Sequence, residues 1–203
     1  MSDKREIRAF ITSYETRAEE NKGIIKGRPV VFDTETDMGW YRETIDRHAL
    51  DNCDLRDVRL CVDHDTSFVY ARSRNNNANS TMRIGVDEEG LFFEAELDLR
   101  SAKANDLFVA VERGDMDKMS FMFVVNGDEW SDLDSEKPLR VIREVSVIYE
   151  LSVVTFPAYD TTSVQAASES AEALESVRAS LESARAEARK LERRKQLIRI
   201  LAI

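Results

Sequence analysis

The sequence predicts an α+β protein that is mainly β, followed by one long C-terminal helix. Three observations carry this. Short apolar–polar alternations bounded by turn residues recur from the start of the chain to about residue 160, the pattern of half-buried strands. Residues 101–114 have helical periodicity between a serine and a glycine. From residue 165 onward Pro and Gly vanish, and Ala, Ser, Glu and Arg dominate.

The first zone, residues 4–60, reads as short strands and loops. Arg5-Glu6-Ile7-Arg8-Ala9-Phe10-Ile11 alternates as a strand does. Gly27-Arg28-Pro29 is a turn leading into a β-branched strand, Val30-Val31-Phe32. Residues 41–51 read as a short helix with an apolar face at Ile45, Ala49 and Leu50. The second zone, residues 57–160, is the β-rich core. A strand over residues 58–62 runs into Asp63-His64-Asp65, and residues 67–72 form another run after a tight bend. Residues 74–80 are a polar loop. Residues 82–86 and 91–97 flank Asp87-Glu88-Glu89-Gly90, a hairpin with glycine in its loop. In the helix at 101–114, Ser101 is placed to cap the start and Gly114 to stop the end. Two last strands contain Ser120 and Glu150, with a polar excursion over residues 126–134 between them. In the third zone, Leu174, Val177, Leu181, Ala184, Ala188, Leu191 and Ile198 fall on a heptad seam broken at Lys195. That seam predicts a long amphipathic helix able to form a coiled coil. The chain thus divides into a body, residues 1–164, and a helical tail, residues 165–203.

The formal net charge of −10 argues against a general nucleic-acid binder. The charge is uneven: the tail carries +2 and the body −12. The first residues are charged and lack the apolar stretch of a secretory leader. No run approaches the length needed to span a bilayer. Cys53 and Cys61 form no CxxC pair. A soluble intracellular protein with reduced thiols and no membrane association is therefore expected.

Chemistry concentrates on few residues. The chain has 2 histidines, and an imidazole is the side chain best suited to act as a base near neutral pH. A serine hydroxyl needs such a base to become a nucleophile, and the base needs a partner on its second ring nitrogen. His64, Ser120 and Glu150 have the right chemical types on three separate strands. By residue type alone each also has an ordinary reading: a surface turn histidine, a small strand serine and an outward-facing strand carboxylate. Asp63 and Asp65 compete as orienters of His64, or with it as metal ligands. In an extended run both would point away from it. His48 reads as structural, and Arg140 and Arg143 are candidates to support an oxyanion. There is no glycine-rich phosphate loop, and no cofactor or metal is expected.

Taken together, the runs resemble a known family. An apolar strand into Asp63-His64-Asp65 is followed by Asp87-Glu88-Glu89-Gly90-Leu91 before a strand. A helix then ends at Arg113-Gly114, and Met119-Ser120-Phe121-Met122-Phe123 follows. The order closes with residues 149–159, from Tyr149-Glu150-Leu151-Ser152 to Phe156-Pro157-Ala158-Tyr159. Over roughly residues 5–165 the chain resembles the prohead serine proteases of tailed bacteriophages, which share their fold with the herpesvirus assemblins. It departs from the family at residues 46–50, where the family often has Pro-Gly-Ala-Phe, and at Asp63, where asparagine is usual.

The resemblance implies an antiparallel β-barrel with flanking helices, with His64 as general base and Ser120 as nucleophile. In the herpesvirus relatives the third member is a second histidine on the strand after the serine strand. Here no histidine follows His64, so a carboxylate takes that place: Glu150, with Glu144 second. The resemblance further implies a serine endopeptidase that cleaves capsid or scaffold segments and then itself. It would act in the host cytoplasm, inside the immature capsid (the prohead), as a homo-oligomer with the major capsid protein as partner. By the same analogy the tail is a packaging segment removed by self-cleavage. Two competing readings are a non-catalytic assembly scaffold acting through the tail and, more distantly, a metal-dependent hydrolase using Asp63, His64 and Asp65.

Overall fold

The computed structural model describes residues 5–11, 14–155 and 171–201. The end of the last family motif, residues 156–159, and the expected boundary at 164/165 lie outside the described residues. The strands are β1 (Arg5–Ile11), β2 (Glu15–Glu19), β3 (Lys22–Val31), β4 (Thr36–Asp37), β5 (Arg42–Ile45), β6 (Arg59–Val62), β7 (Ala71–Arg72), β8 (Met82–Val86), β9 (Gly90–Asp98), β10 (Lys118–Ser131) and β11 (Leu139–Val154). The helices are α1 (Ala102–Glu112) and α2 (Ala171–Leu201), with a 3₁₀ turn at Arg74–Asn76. The protein is mainly β with a C-terminal helix, as the sequence predicts.

The strands form two sheets. One is 7-stranded, with the path β1-β10-β11-β5-β4 and with β6 and β7 added on β11. The other is 4-stranded, in the order β2-β3-β9-β8. Neither closes on itself, so the expected barrel is not formed by the described residues. The first sheet ends at β1 and β4, the second at β2 and β8, and no ladder joins these edges. Nor is the pairing purely antiparallel: β11 pairs in parallel with β5 over residues 139–142 and with β6 over residues 150–153. One hydrophobic core lies between the sheets and α1. It includes Ile25, Leu91, Phe93 and Leu97 from one sheet, Leu60, Met119, Phe121, Leu151 and Val153 from the other, and Leu107, Phe108 and Val111 from α1.

Several local expectations change. The helix expected over 41–51 is instead β5 followed by turns. The Asp46 carboxylate accepts from the His48 backbone N–H at 2.9 Å, and such a side-chain turn competes successfully with helix formation. Strand β3 runs straight through Gly27 and Pro29, with a register irregularity there. The polar excursion at 126–134 is largely strand, because β10 and β11 extend as one long hairpin with several bulges. Ser101 and Gly114 do bound α1, although Ser101 makes no side-chain capping bond. Gly90 opens β9 at φ +150, and a Cβ there would lie 2.0 Å from the Val30 carbonyl oxygen. Gly90→Ala is therefore expected to cost at least about 2 kcal/mol, read from urea unfolding; a loss below about 0.5 kcal/mol would contradict the contact.

The heptad seam divides in two. Val177 and Leu181 are buried, as is Ala173 beside the seam, and Val177 packs with Met38, Tyr41, Trp40 and Trp130. Ser180 Oγ donates to Asp128 Oδ1 at 2.7 Å and accepts from Trp130 Nε1 at 3.0 Å. Leu191, Leu197 and Ile198 are exposed. The inner half of α2 is thus a partner for the protein's own hairpin tip. Both tryptophans of the chain, Trp40 and Trp130, lie in this contact. Val177→Asp is expected to shift tryptophan emission to longer wavelength and to cost about 2–3 kcal/mol; an unchanged spectrum would reject the docking. Among the described residues, no helix is long and apolar enough to cross a membrane.

Candidate active site

His64 sits on a tight turn at the end of β6. The Asp65 N–H donates to the Val62 carbonyl at 2.9 Å, and the two residues between have positive φ, 48° at Asp63 and 61° at His64. Two successive positive-φ residues are what a type I′ turn requires. For non-glycine residues that backbone costs about 1–3 kcal/mol each and persists only where neighbours enforce it. Here Asp63 enforces it. Its N–H donates to the Val153 carbonyl at 3.0 Å, and its Oδ1 accepts from the N–H and the hydroxyl of Thr155, both at 3.0 Å. Asp65 Oδ1 accepts from the Ser67 N–H at 2.9 Å. The run is a turn, not the extended strand assumed for it, and each acid is engaged elsewhere rather than with the imidazole.

The ring instead meets Glu150. His64 Nδ1 hydrogen-bonds to Glu150 Oε1. The second carboxylate oxygen, Oε2, accepts from Ser152 Oγ at 2.9 Å, and Ser152 Oγ accepts from the backbone N–H of His64 at 3.1 Å. The Glu150 side chain is 2% exposed and that of His64 22%, so the carboxylate is buried and the ring borders solvent. A buried carboxylate is tolerated when its oxygens are hydrogen-bonded, and both are. The strand also bends here: Met122 pairs with Glu150 but Phe123 with Ile148, so Tyr149 is the extra residue of a β-bulge. Bulges are used beside active sites to re-aim side chains.

Ser120 completes the group. It pairs with Ser152 on β11 and Ala9 on β1, and Ser152 pairs with Cys61 on β6. Ala9, Ser120, Ser152 and Cys61 thus form one row across four strands. Side chains alternate along a strand; with Met119, Phe121, Leu151 and Val153 in the main core, this row and Glu150 occupy the opposite face. Ser120 is 1% exposed, and its Oγ has no hydrogen-bond partner. The structure therefore joins His64 directly to Glu150 and sets Ser120 one strand away across Ser152, without a Ser120–His64 hydrogen bond. Burial, reinforced by the Glu150 charge, pushes the Cys61 thiol up to about 12, so it stays a neutral thiol rather than a competing nucleophile.

The other candidates lie elsewhere. Glu144 pairs with Gly127 and accepts from Asn126 Nδ2 at 2.9 Å. At about 3.3 Å per residue it lies about 20 Å along β11 from Glu150. Arg140 is buried among Glu6, Glu43 and Asp128, and Arg143 pairs with Asp46 and Glu129 on the surface. Neither adjoins Ser120, so neither supports an oxyanion there. His48 is exposed and contacts Asp51 at 3.1 Å. Among the described residues, no cluster of three His, Cys, Asp or Glu side chains could hold a metal ion. The residue missed by sequence reasoning is Ser152. The signal was present, since period-two alternation puts residue 152 on the same face as residue 150.

Residues 12–177 match the family model described as caudovirus prohead serine protease. The chain is 27% identical over 158 residues to the prohead protease of Enterobacteria phage HK97, covering 77% of this chain and 65% of that protein. The chain thus spans about 65% of the length of that curated relative. No solved structure matches it. With the family model covering most of the chain, including all three residues of the His64–Ser120–Glu150 group, the protein belongs to the caudovirus prohead serine protease family.

Proposed function

We propose that this protein is a serine endopeptidase of prohead maturation, cleaving capsid or scaffold segments and then itself. The observation that carries the reading is the His64 Nδ1–Glu150 contact, one strand from a buried serine hydroxyl with no partner. A buried unsatisfied hydroxyl costs about 1–3 kcal/mol and calls for an explanation. Nucleophiles often stand outside hydrogen-bond reach of their base until substrate binds. In this mechanism Glu150 fixes the Nδ1–H tautomer and stabilises the imidazolium. Nε2 of His64 takes the Ser120 proton as Oγ attacks the scissile carbonyl, then returns it to the leaving amine. Hydrolysis of the acyl-enzyme by water, activated by the same ring, regenerates the serine.

The substrates, by the family's nature, are capsid protein segments inside the immature capsid in the host cytoplasm. The tail from residue 165, docked on the body through Val177 and Ser180, directs packaging, and several copies act within one shell. The test is to co-express the chain with its capsid protein, label with a fluorophosphonate and map the adduct by mass spectrometry. An adduct on Ser120 is expected; cleavage of the capsid protein with the adduct elsewhere would overturn the reading. The exposed outer half of α2 favours one second reading, an assembly scaffold without catalysis. It requires truncation before residue 171 to block assembly while Ser120→Ala leaves capsid processing unchanged.

A further inference from the structure

We propose that Ser152 is a positioning residue of this site, holding the base and its orienting carboxylate in one geometry; the inference rests on the reading of His64, Ser120 and Glu150 as the catalytic set. Its hydroxyl makes two bonds of different kinds. It donates to Glu150 Oε2 at 2.9 Å and accepts from the backbone N–H of His64 at 3.1 Å. One hydroxyl offers one donor and two acceptor positions, so the donor is spent on the carboxylate and an acceptor on the turn. Ser152 is 0% exposed, so water does not replace either bond when the side chain is lost. It also faces Ser120 across the ladder and Cys61 on its other side, which places it in the same row as the nucleophile.

The consequence is geometric. The His64 ring is fixed at Nδ1 by Glu150, and the backbone that carries the ring is in a positive-φ turn. Nothing in the His64–Glu150 bond itself holds the turn to the strand. Asp63 ties the turn to β11 through Val153 and Thr155; Ser152 alone ties the His64 backbone and the Glu150 carboxylate together, because the same oxygen touches both. Without it, Glu150 loses the Ser152 donor on Oε2, and its carboxylate can swing about the remaining His64 contact on Oε1. The His64 N–H then loses its acceptor at the same moment. Misplacing a catalytic group by about 1 Å can cost on the order of 100-fold in rate.

The test compares Ser152→Ala and Ser152→Thr in the full chain, using cleavage of co-expressed capsid protein and the ring ¹⁵N signals of His64. With 2 histidines in the chain, His48→Gln assigns the signals. Ser152→Ala is expected to slow cleavage about 10- to 100-fold and to turn the single Nδ1–H tautomer of His64 into a mixture; Ser152→Thr, which keeps the hydroxyl, is expected to restore both. Wild-type cleavage in the alanine variant overturns the proposal. So does slow cleavage with unchanged His64 signals, which would assign Ser152 to packing alone, and so does a threonine variant that rescues neither readout. If alanine unfolds the chain, the His64 signals of Ser152→Thr decide, a mixed tautomer being the adverse result. Ser120→Ala and His64→Ala serve as controls: if these variants still cleave, the catalytic reading itself fails, whatever Ser152 does.

Discussion

Ser120→Ala is expected to abolish cleavage of co-expressed capsid protein while leaving the protein folded and slightly more stable. The loss should reach about 10⁶ in turnover, as removal of a catalytic serine does elsewhere, and His64→Ala should match it without adding to it in the double variant. Glu150→Gln should cost on the order of 10⁴, because an amide in that place no longer selects the productive tautomer. The stability sign separates this site from an ordinary core position. Ser120 is buried with its hydroxyl unsatisfied, so removing the oxygen relieves a desolvation penalty of about 1–3 kcal/mol. A gain in unfolding free energy together with a loss of cleavage marks a residue retained for chemistry. Cleavage that persists in Ser120→Ala, or a large loss of stability on making it, would sink the assignment.

Arg8→Met is expected to have the largest effect on stability of any single change considered, about 3–5 kcal/mol. Arg8 is fully buried on β1 and binds Glu43 on β5 and Glu6 on its own strand. Arg140 on β11 binds the same two carboxylates and Asp128 on β10, at 2.7, 3.0 and 2.6 Å. Two guanidinium groups thus neutralise two buried glutamates, with Asp128 at the rim. Removing Arg8 leaves two buried carboxylates sharing Arg140, so one buried negative charge goes uncompensated, which is far more costly than never having had the pair. Burial opposes the Glu6 charge, but Arg8 and Arg140 outweigh it and hold the carboxyl below its ordinary value of 4.5. A carboxyl lowered in the folded state stabilises the fold above its unfolded value. That contribution is lost as pH falls through the folded value. Urea unfolding at neutral pH and at decreasing pH measures both effects. Arg8→Met should lose stability at neutral pH and show a weaker further loss in acid; a neutral-pH loss under about 1 kcal/mol would mean that the network behaves as a surface pair.

This network also explains what the sequence could and could not reveal. The alternation in β1 identifies the strand, but its buried face includes Glu6 and Arg8, and no reading of apolar periodicity places charges inside. The partners that make such burial tolerable come from residues 43, 128 and 140, far along the chain. The apolar spacing at residues 45, 49 and 50 suggested a helix. Parallel pairing of β5 with β11 and the Asp46 side-chain turn override it locally. The hairpin at 82–97, α1 and the two long strands were legible because each is set by short-range pattern. The relation of His64 to Glu150, 86 residues apart in sequence, depends on the parallel pairing of β6 with β11. Only the order of motifs pointed to it, and Ser152 between them was not singled out at all.

The order in which these pieces leave the ribosome follows from the same pairing. Strand β10 and strand β11 form a hairpin, but the turn bearing His64 is synthesised long before either. It waits for β11, because Glu150, Ser152 and Thr155 all belong to the last part of the folded body. At about 5–20 residues per second, the base exists for several seconds of synthesis with nothing to orient it. A nascent chain therefore holds no assembled His64–Glu150–Ser152 group until its body is nearly complete, and the catalysis proposed for that group is deferred by the direction of translation itself.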